Sequence, residues 1–195
     1  MKQKSKLTLY NLYNPNQMAI VCADIGSDES IFKASNDIKN MTDHIDLLIN
    51  CAGILGDMNK NLGDDLDFDE IMRVINVNAI GTLRVTNALS SLVLNSTEKT
   101  IVNISSEAGS IADCWRTGWF GYCMSKAANN MQSALVHNNI QKLGGKSLQF
   151  IQVMSLPICA VILTRLQKSH QMFLRKEFYM LFWICLIQLI RAHFI

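Results

Sequence analysis

The sequence predicts an α/β fold built on a parallel sheet. Short apolar runs rich in β-branched residues alternate with longer segments of helical spacing. Those runs are continuously apolar, as strands buried on both faces are. Strand–helix alternation of this kind implies right-handed βαβ units.

Each element has its own signal. "MAIVCA" (18–23) reads as a strand. "DESIFKASNDIKNM" (28–41) has helical spacing at Ile31, Ala34, Ile38 and Met41, with Ser27 or Asp28 as cap. "IDLLIN" (45–50) is an apolar strand. A long helix is expected over 67–94, turning Phe68, Ile71, Ile75, Leu83, Leu89 and Leu92 inward. "TIVNIS" (100–105) is a strand. A second long helix over 120–143 is stopped by Gly144–Gly145. "SLQFIQV" (147–153) closes the series as a strand.

The bulk properties bound the function. A chain of 195 residues is long enough for one domain with a substantial core. Apolar content of 49% against 17% charged residues excludes a disordered chain. A net charge of +2 gives no footprint for nucleic acid or a membrane surface, so neither is expected as partner. The six cysteines form no C-x-x-C pair and no metal-ligand spacing. They predict reduced thiols in a cytoplasmic protein and no bound metal. "MKQKSK" is basic, but no apolar segment of signal-peptide type follows it. "FYMLFWICLIQLI" (178–190) is apolar over 13 residues, short of the roughly 20 that a spanning helix needs.

Tyr122 and Lys126 stand four apart in the second long helix, on one face. A lysine cation near a phenol favours the phenolate and lowers its pKa toward working pH, which suits general acid/base catalysis. Alone, the spacing equally describes an exposed helix pair. Other residues add to it. Ser106 follows the strand "TIVNIS", at the kind of carboxyl-terminal strand end where open α/β sheets bind ligands. Asn50 to Gly53, "NCAG", occupy the same place after "IDLLIN", with Gly53 permitting close backbone approach. Asn78 is a polar residue of poor propensity inside the first long helix.

In order, "VCADIGSDESI", "IDLLINCAGI", "INVNAIGTL", "IVNISSEAGSI" and "YCMSKAANNM" resemble the short-chain dehydrogenase/reductase family, from about Met18 to about Val153. The stretch "ADCWRTGW" lengthens the gap between Ser106 and Tyr122 beyond the family's usual one. It is similar to the carbonyl-reductase branch that includes the C-factor and Sniffer proteins.

The resemblance implies a Rossmann-like doubly wound parallel sheet that binds NAD or NADP. It implies hydride transfer between nicotinamide and a carbonyl or alcohol carbon of a small molecule. By the same resemblance, Tyr122 is the general acid/base. Lys126 holds the ribose hydroxyls and depresses the pKa of Tyr122. Ser106, rather than Ser105, hydrogen-bonds the substrate oxygen. Asn78 positions Lys126 through a water. Asp24 contacts the adenine ring. Asn50, Cys51, Ala52 and Gly53 lie beside the cofactor, with Cys51 in place of the usual second asparagine. Family members commonly pair through the helices matching 67–94 and 120–143, so a homo-oligomer is expected.

Two departures from the family pattern stand out. Residues 1–17 hold no glycine and no TGxxxGxG turn, so the sheet is expected to be partial. It would lack the first βαβ phosphate-binding unit, "MAIVCA" would lose its neighbours, and "IDLLIN" would become a long apolar edge. "LTLYNLY" is a candidate replacement strand. After residue 153 the family pattern ends: Pro157 is followed by Ile158, and Thr164 comes late. Codons exist for residues 164–178 that, read one nucleotide earlier, spell "DEAAKITPDVSAEGI", a normal tail for the family. The expected organisation is therefore an atypical segment 1–17, a truncated core 18–153, and an apolar tail 154–195 read out of frame. Two readings stay open: an NAD(P)-dependent reductase, and a non-catalytic remnant without a dinucleotide phosphate site.

Overall fold

The computed structural model describes residues 19–152 and the strand 161–164. Three parallel strands form the centre. β1 (Leu47–Asn50) pairs with β2 (Thr100–Ser106), setting Leu47 opposite Thr100 and Asn50 opposite Asn103. β2 pairs in turn with β3 (Lys146–Gln152), from Thr100 opposite Lys146 to Ser106 opposite Gln152. On the other side of β1 lies β4 (Val161–Thr164), antiparallel to it, giving the order β3-β2-β1-β4.

The helices begin where short polar side chains accept orphan amide protons. α1 (Asp28–Met41) is capped by Ser27, whose side chain accepts from the Ser30 amide. α2 (Phe68–Ile75) is capped in the same way by Asp67, which accepts from the Glu70 amide at 2.9 Å. The 67–94 segment is not one regular helix. A π-helical turn, Asn76–Gly81, separates α2 from α3 (Thr82–Leu94). α4 (Phe120–Ile140) ends in a short 3₁₀ turn and then Gly144, whose φ of 79° suits a residue without Cβ.

α3 packs on β1 and β2, α1 packs on α3, and α4 lies against α2, the π turn and β3. Every residue of β1 and β2 is buried. Leu48 and Ile101 meet Val85, Leu89 and Val93 of α3, together with Ile31 of α1, in one core.

Four expectations are corrected. Residues 19–23 form no strand: β propensity is realised only with a neighbour to complete the ladder, and the free side of β1 is taken by β4. For the same reason β1 is not left as a bare apolar edge. Phe68 and Leu83 face outward, at 70% and 43% exposed, while Leu89 and Leu92 are buried as expected. Leu148, Phe150 and Ile151 of β3 are exposed rather than buried on both faces, because β3 is an edge strand of this sheet. The replacement strand "LTLYNLY", Val153, Pro157 and the apolar tail beyond 164 lie outside the described residues.

Candidate active site

The candidate residues gather where β1 and β2 end, against the first turns of α4. β2 delivers Ser105 and Ser106, both buried. The Ser105 hydroxyl bonds to Asn130 on α4. Ser106 is left on the side of Tyr122, near enough for its side chain to pull the phenol's pKa down. Ser106 also caps the 3₁₀ turn Glu107–Gly109, accepting from the Ala108 amide at 3.2 Å. That turn lies hard against α4: a Cβ on Gly109 would stand 2.7 Å from the Lys126 carbonyl carbon. The glycine therefore sets the distance between the serine strand and the tyrosine helix.

Lys126 is buried and donates to the Ile104 carbonyl at 3.0 Å. Its ammonium is 5.7 Å from the centre of the Tyr122 ring. Burial lowers its pKa from the ordinary 10.5 to about 8, with the Cys51 thiol pulling the other way. Tyr122 is shifted upward, not downward as its spacing from Lys126 implied. Burial of the phenol dominates, Cys123 adds to it, and the Ser106 side chain and the Arg116 charge oppose it. Burial of the phenol therefore outweighs what the neighbouring lysine does for the phenolate.

Asn78 sits at the middle of the π turn and is fully buried. Its amide donates to the Ile54 carbonyl at 2.8 Å and to Ser125 Oγ at 2.9 Å. Its Oδ1 accepts from the Ile54 amide at 2.8 Å. The Ser125 hydroxyl in turn donates to the Tyr122 carbonyl at 2.7 Å. Asn78 thus ties the loop after β1 to the turn of α4 that carries Tyr122. A π turn in a long helix recurs at functional sites, and here it sets Asn78 into that junction.

Gly53 completes the cluster. A Cβ there would meet Asn78 Oδ1 at 3.3 Å and Lys126 Nζ at 3.9 Å. Ala52 beside it is partly buried. Asn50 donates to Thr86 Oγ1 at 2.9 Å and to Asn103 Oδ1 at 2.8 Å, while its own buried Oδ1 has no partner among the described residues. Asp24 is not brought into this cluster. It is exposed, accepts from the Gly26 amide at 2.8 Å, and lies in the turn leading to α1. That turn is fastened to the π turn through Asn76, which donates to the Gly26 carbonyl at 3.0 Å.

Sequence reasoning missed Arg116 and Trp119. Arg116 packs its guanidinium 4.5 Å from the Trp115 ring centre and 4.8 Å from that of Trp119. Trp119 meets Tyr122 edge to face, with ring centres 6.4 Å apart. The signal available was the two tryptophans flanking an arginine in "CWRTGW". Among the described residues there is no group of acids, histidines or cysteines that would hold a metal, and no helix long and apolar enough to cross a membrane.

A family model for short chain dehydrogenases matches residues 2–172, and the chain belongs to that family. The C-signal protein of Myxococcus xanthus is 38% identical over 90 residues, which cover 46% of this chain and 53% of that protein. The chain spans about half the length of the curated relatives it matches first. Among solved structures, the NADPH-bound carbonyl reductase from chicken fatty liver superposes with a TM-score of 0.67 at 26% identity. The superposition covers 76% of this chain and 59% of that one. The carbonyl reductase Sniffer of D. melanogaster shares the fold, with a TM-score of 0.67 at 20% identity over 77% of this chain and 64% of that one. The chain thus carries a partial Rossmann-like sheet of the short chain dehydrogenase family.

The residues present fit the nicotinamide end of a dinucleotide. Gly53 leaves open the space a Cβ would fill beside Lys126 and Asn78, and Asn50 offers an orphaned acceptor nearby in sequence.

Proposed function

We propose that the chain is an NAD(P)-dependent reductase of small carbonyl compounds, with Tyr122 as general acid. The observation that carries this reading is the convergence of buried Ser106, Tyr122 and buried Lys126, whose ammonium is 5.7 Å from the centre of the phenol ring. When bound, the nicotinamide supplies or accepts the hydride. Lys126 and Tyr122 would hold its ribose, and Asn50, Cys51, Ala52 and Gly53 would line its flank. Asp24 would take the adenine end.

In reduction the substrate carbonyl oxygen sits between the Ser106 and Tyr122 hydroxyls. Ser106 donates to it and stabilises the charge that develops there. Tyr122 donates its proton to the same oxygen as the alcohol forms. The raised pKa of Tyr122 keeps the phenol protonated at neutral pH, which favours the reductive direction. Asn78 holds the loop that carries Gly53, and so keeps Lys126 facing the ribose.

Tyr122→Phe should abolish turnover with NADPH or NADH while leaving the circular dichroism spectrum unchanged; retained turnover would sink the assignment. The second reading is a remnant that does not turn over. Its support is that the first glycine of the chain is Gly26, so a glycine-rich phosphate turn is not found ahead of it. A fluorescence titration separates the two, because a folded remnant would show no saturable nucleotide binding.

We also propose that the chain pairs with a second copy. Phe68, Met72 and Leu83 of α2 and α3, with Met124, Met131 and Leu135 of α4, are exposed apolar side chains on the helices expected to pair. A mass that stays monomeric at every concentration in light scattering would refute this. The reduced thiols Cys22, Cys51, Cys114 and Cys123 support a cytoplasmic setting. The division into a core at 18–153 and an out-of-frame tail is tested by the codons of the gene.

A further inference from the structure

Arg116 is the charged group that the family reading leaves unused. Its side chain is only 6% exposed. Nη2 donates to Glu107 Oε1 at 2.6 Å, directly after Ser106 in the chain. The guanidinium lies between Trp115 and Trp119, within cation–π distance of both rings. Its Nε–H is buried without an acceptor among the described residues. An unpaired buried donor lowers stability, so stability alone does not account for its place. Trp119 carries a φ of 63°, the left-handed region that a bulky residue seldom adopts. The backbone is thus held in a costly conformation where it turns into α4 and presents the Trp119 ring to Tyr122.

We propose that Arg116 is a positioning residue for Tyr122: anchored by Glu107 and enclosed by two tryptophans, it fixes Trp119 against the phenol and lays a positive charge beside it. The inference rests on the reading of Tyr122 as general acid. It gives the long loop between Ser106 and Tyr122 a task. The loop adds a second cation, the Arg116 guanidinium, on the side of the phenol. The groups facing the phenol are Ser106 from the end of β2, Arg116 from the loop, and Cys123 and Lys126 from α4. Glu107 faces Arg116 and partly offsets its charge.

The test is the titration of the Tyr122 ring followed by NMR of the full chain labelled at tyrosine Cζ. Tyr122→Phe assigns the signal. Arg116→Gln should raise the proton affinity of the Tyr122 phenol roughly three- to tenfold, as loss of a nearby positive charge does. Arg116→Lys should recover part of that change, keeping charge without the planar stacking. In Glu107→Gln the amide oxygen can still accept from Arg116 Nη2 while the guanidinium charge is no longer offset, so the proton affinity should fall. A Tyr122 titration unmoved in both Arg116→Gln and Glu107→Gln would overturn the proposal. Should Arg116→Gln fail to fold, Arg116→Lys decides alone: an upward move of the Tyr122 titration supports the proposal, and none overturns it. The readout needs no turnover. A moved titration in a chain that reduces no carbonyl would refute the reductase reading while leaving the Arg116–Tyr122 contact established.

Discussion

Gly81→Ala sets two effects of opposite sign against each other. In an isolated helix, replacing glycine with alanine stabilises by about 0.5–1 kcal/mol, through lost backbone entropy in the unfolded chain. At this position the new Cβ would lie 2.8 Å from the Ile25 carbonyl oxygen, and 2.9 and 3.0 Å from Ile25 Cγ1 and Cδ1. The side-chain carbons can swing aside, but the carbonyl belongs to the backbone. Relief therefore requires the turn before α1 to move off the π turn. That movement strains two hydrogen bonds, from Arg84 to the Ile25 carbonyl at 3.1 Å and from Asn76 to the Gly26 carbonyl at 3.0 Å. Overpacking costs about 1–3 kcal/mol, and two such bonds contribute about 0.5–1.5 kcal/mol each. The packing loss wins, leaving a net destabilisation of roughly 2 kcal/mol. For a domain of this size that lowers Tm by roughly 6 °C. Urea and thermal melts by circular dichroism measure it. A variant as stable as the parent chain, or more so, would show that the 24–27 turn is not seated on Gly81 and that helix propensity alone governs the site.

The other predictions concern the site itself. Asn78→Ala removes a side chain bonded to both backbone groups of Ile54 and to Ser125. Stranding buried partners at about 1–3 kcal/mol each, it should lower the urea midpoint by more than Gly81→Ala does. Gly109→Ala would drive a Cβ to within 2.8 Å of the Lys126 carbonyl and Asn130; steady-state kinetics should show kcat falling further than nucleotide affinity. Lys126 has a folded pKa of about 8 against an ordinary 10.5. Between those values the unfolded chain binds the extra proton, so stability rises with pH across that window and the gain is lost as pH falls to about 8. The gap corresponds to roughly 3 kcal/mol. Lys126→Met should remove that part of the pH dependence of the urea midpoint, and identical profiles for the two chains would refute it.

The parts of the fold legible in the sequence were those whose signal is local. The cap Ser27, the continuous apolar runs of β1 and β2, and the stop at Gly144 each follow from a few adjacent residues. Residues 18–23 carry as good a strand pattern as β1, yet 19–23 form no strand. A strand is defined by its neighbours, and composition does not name them. The π turn at Asn76–Gly81 was hidden for a related reason. Helical spacing holds across it, and the extra residue shows only in how Asn78 and Gly81 meet distant loops. The antiparallel β4 comes from beyond the span where the family pattern is readable.

Spacing also carried the Tyr122–Lys126 pair, but not its electrostatics. Residues four apart on a helix are neighbours whatever surrounds them. Whether one perturbs the other depends on the charge each keeps after burial, and burial acts against the charged form of both. Here it lowers Lys126 and raises Tyr122. The two shifts leave a protonated phenol beside a lysine that gives up its charge at about pH 8 instead of 10.5. A proton donor is then ready at Ser106 without any prior ionisation. The oxidative direction needs the opposite state, a phenolate, and so needs a cation that burial has not weakened. Arg116 meets that requirement, because a guanidinium keeps its proton when buried. On the reading of Tyr122 as general acid, the loop between Ser106 and Tyr122 therefore tunes the pH at which the phenol ionises.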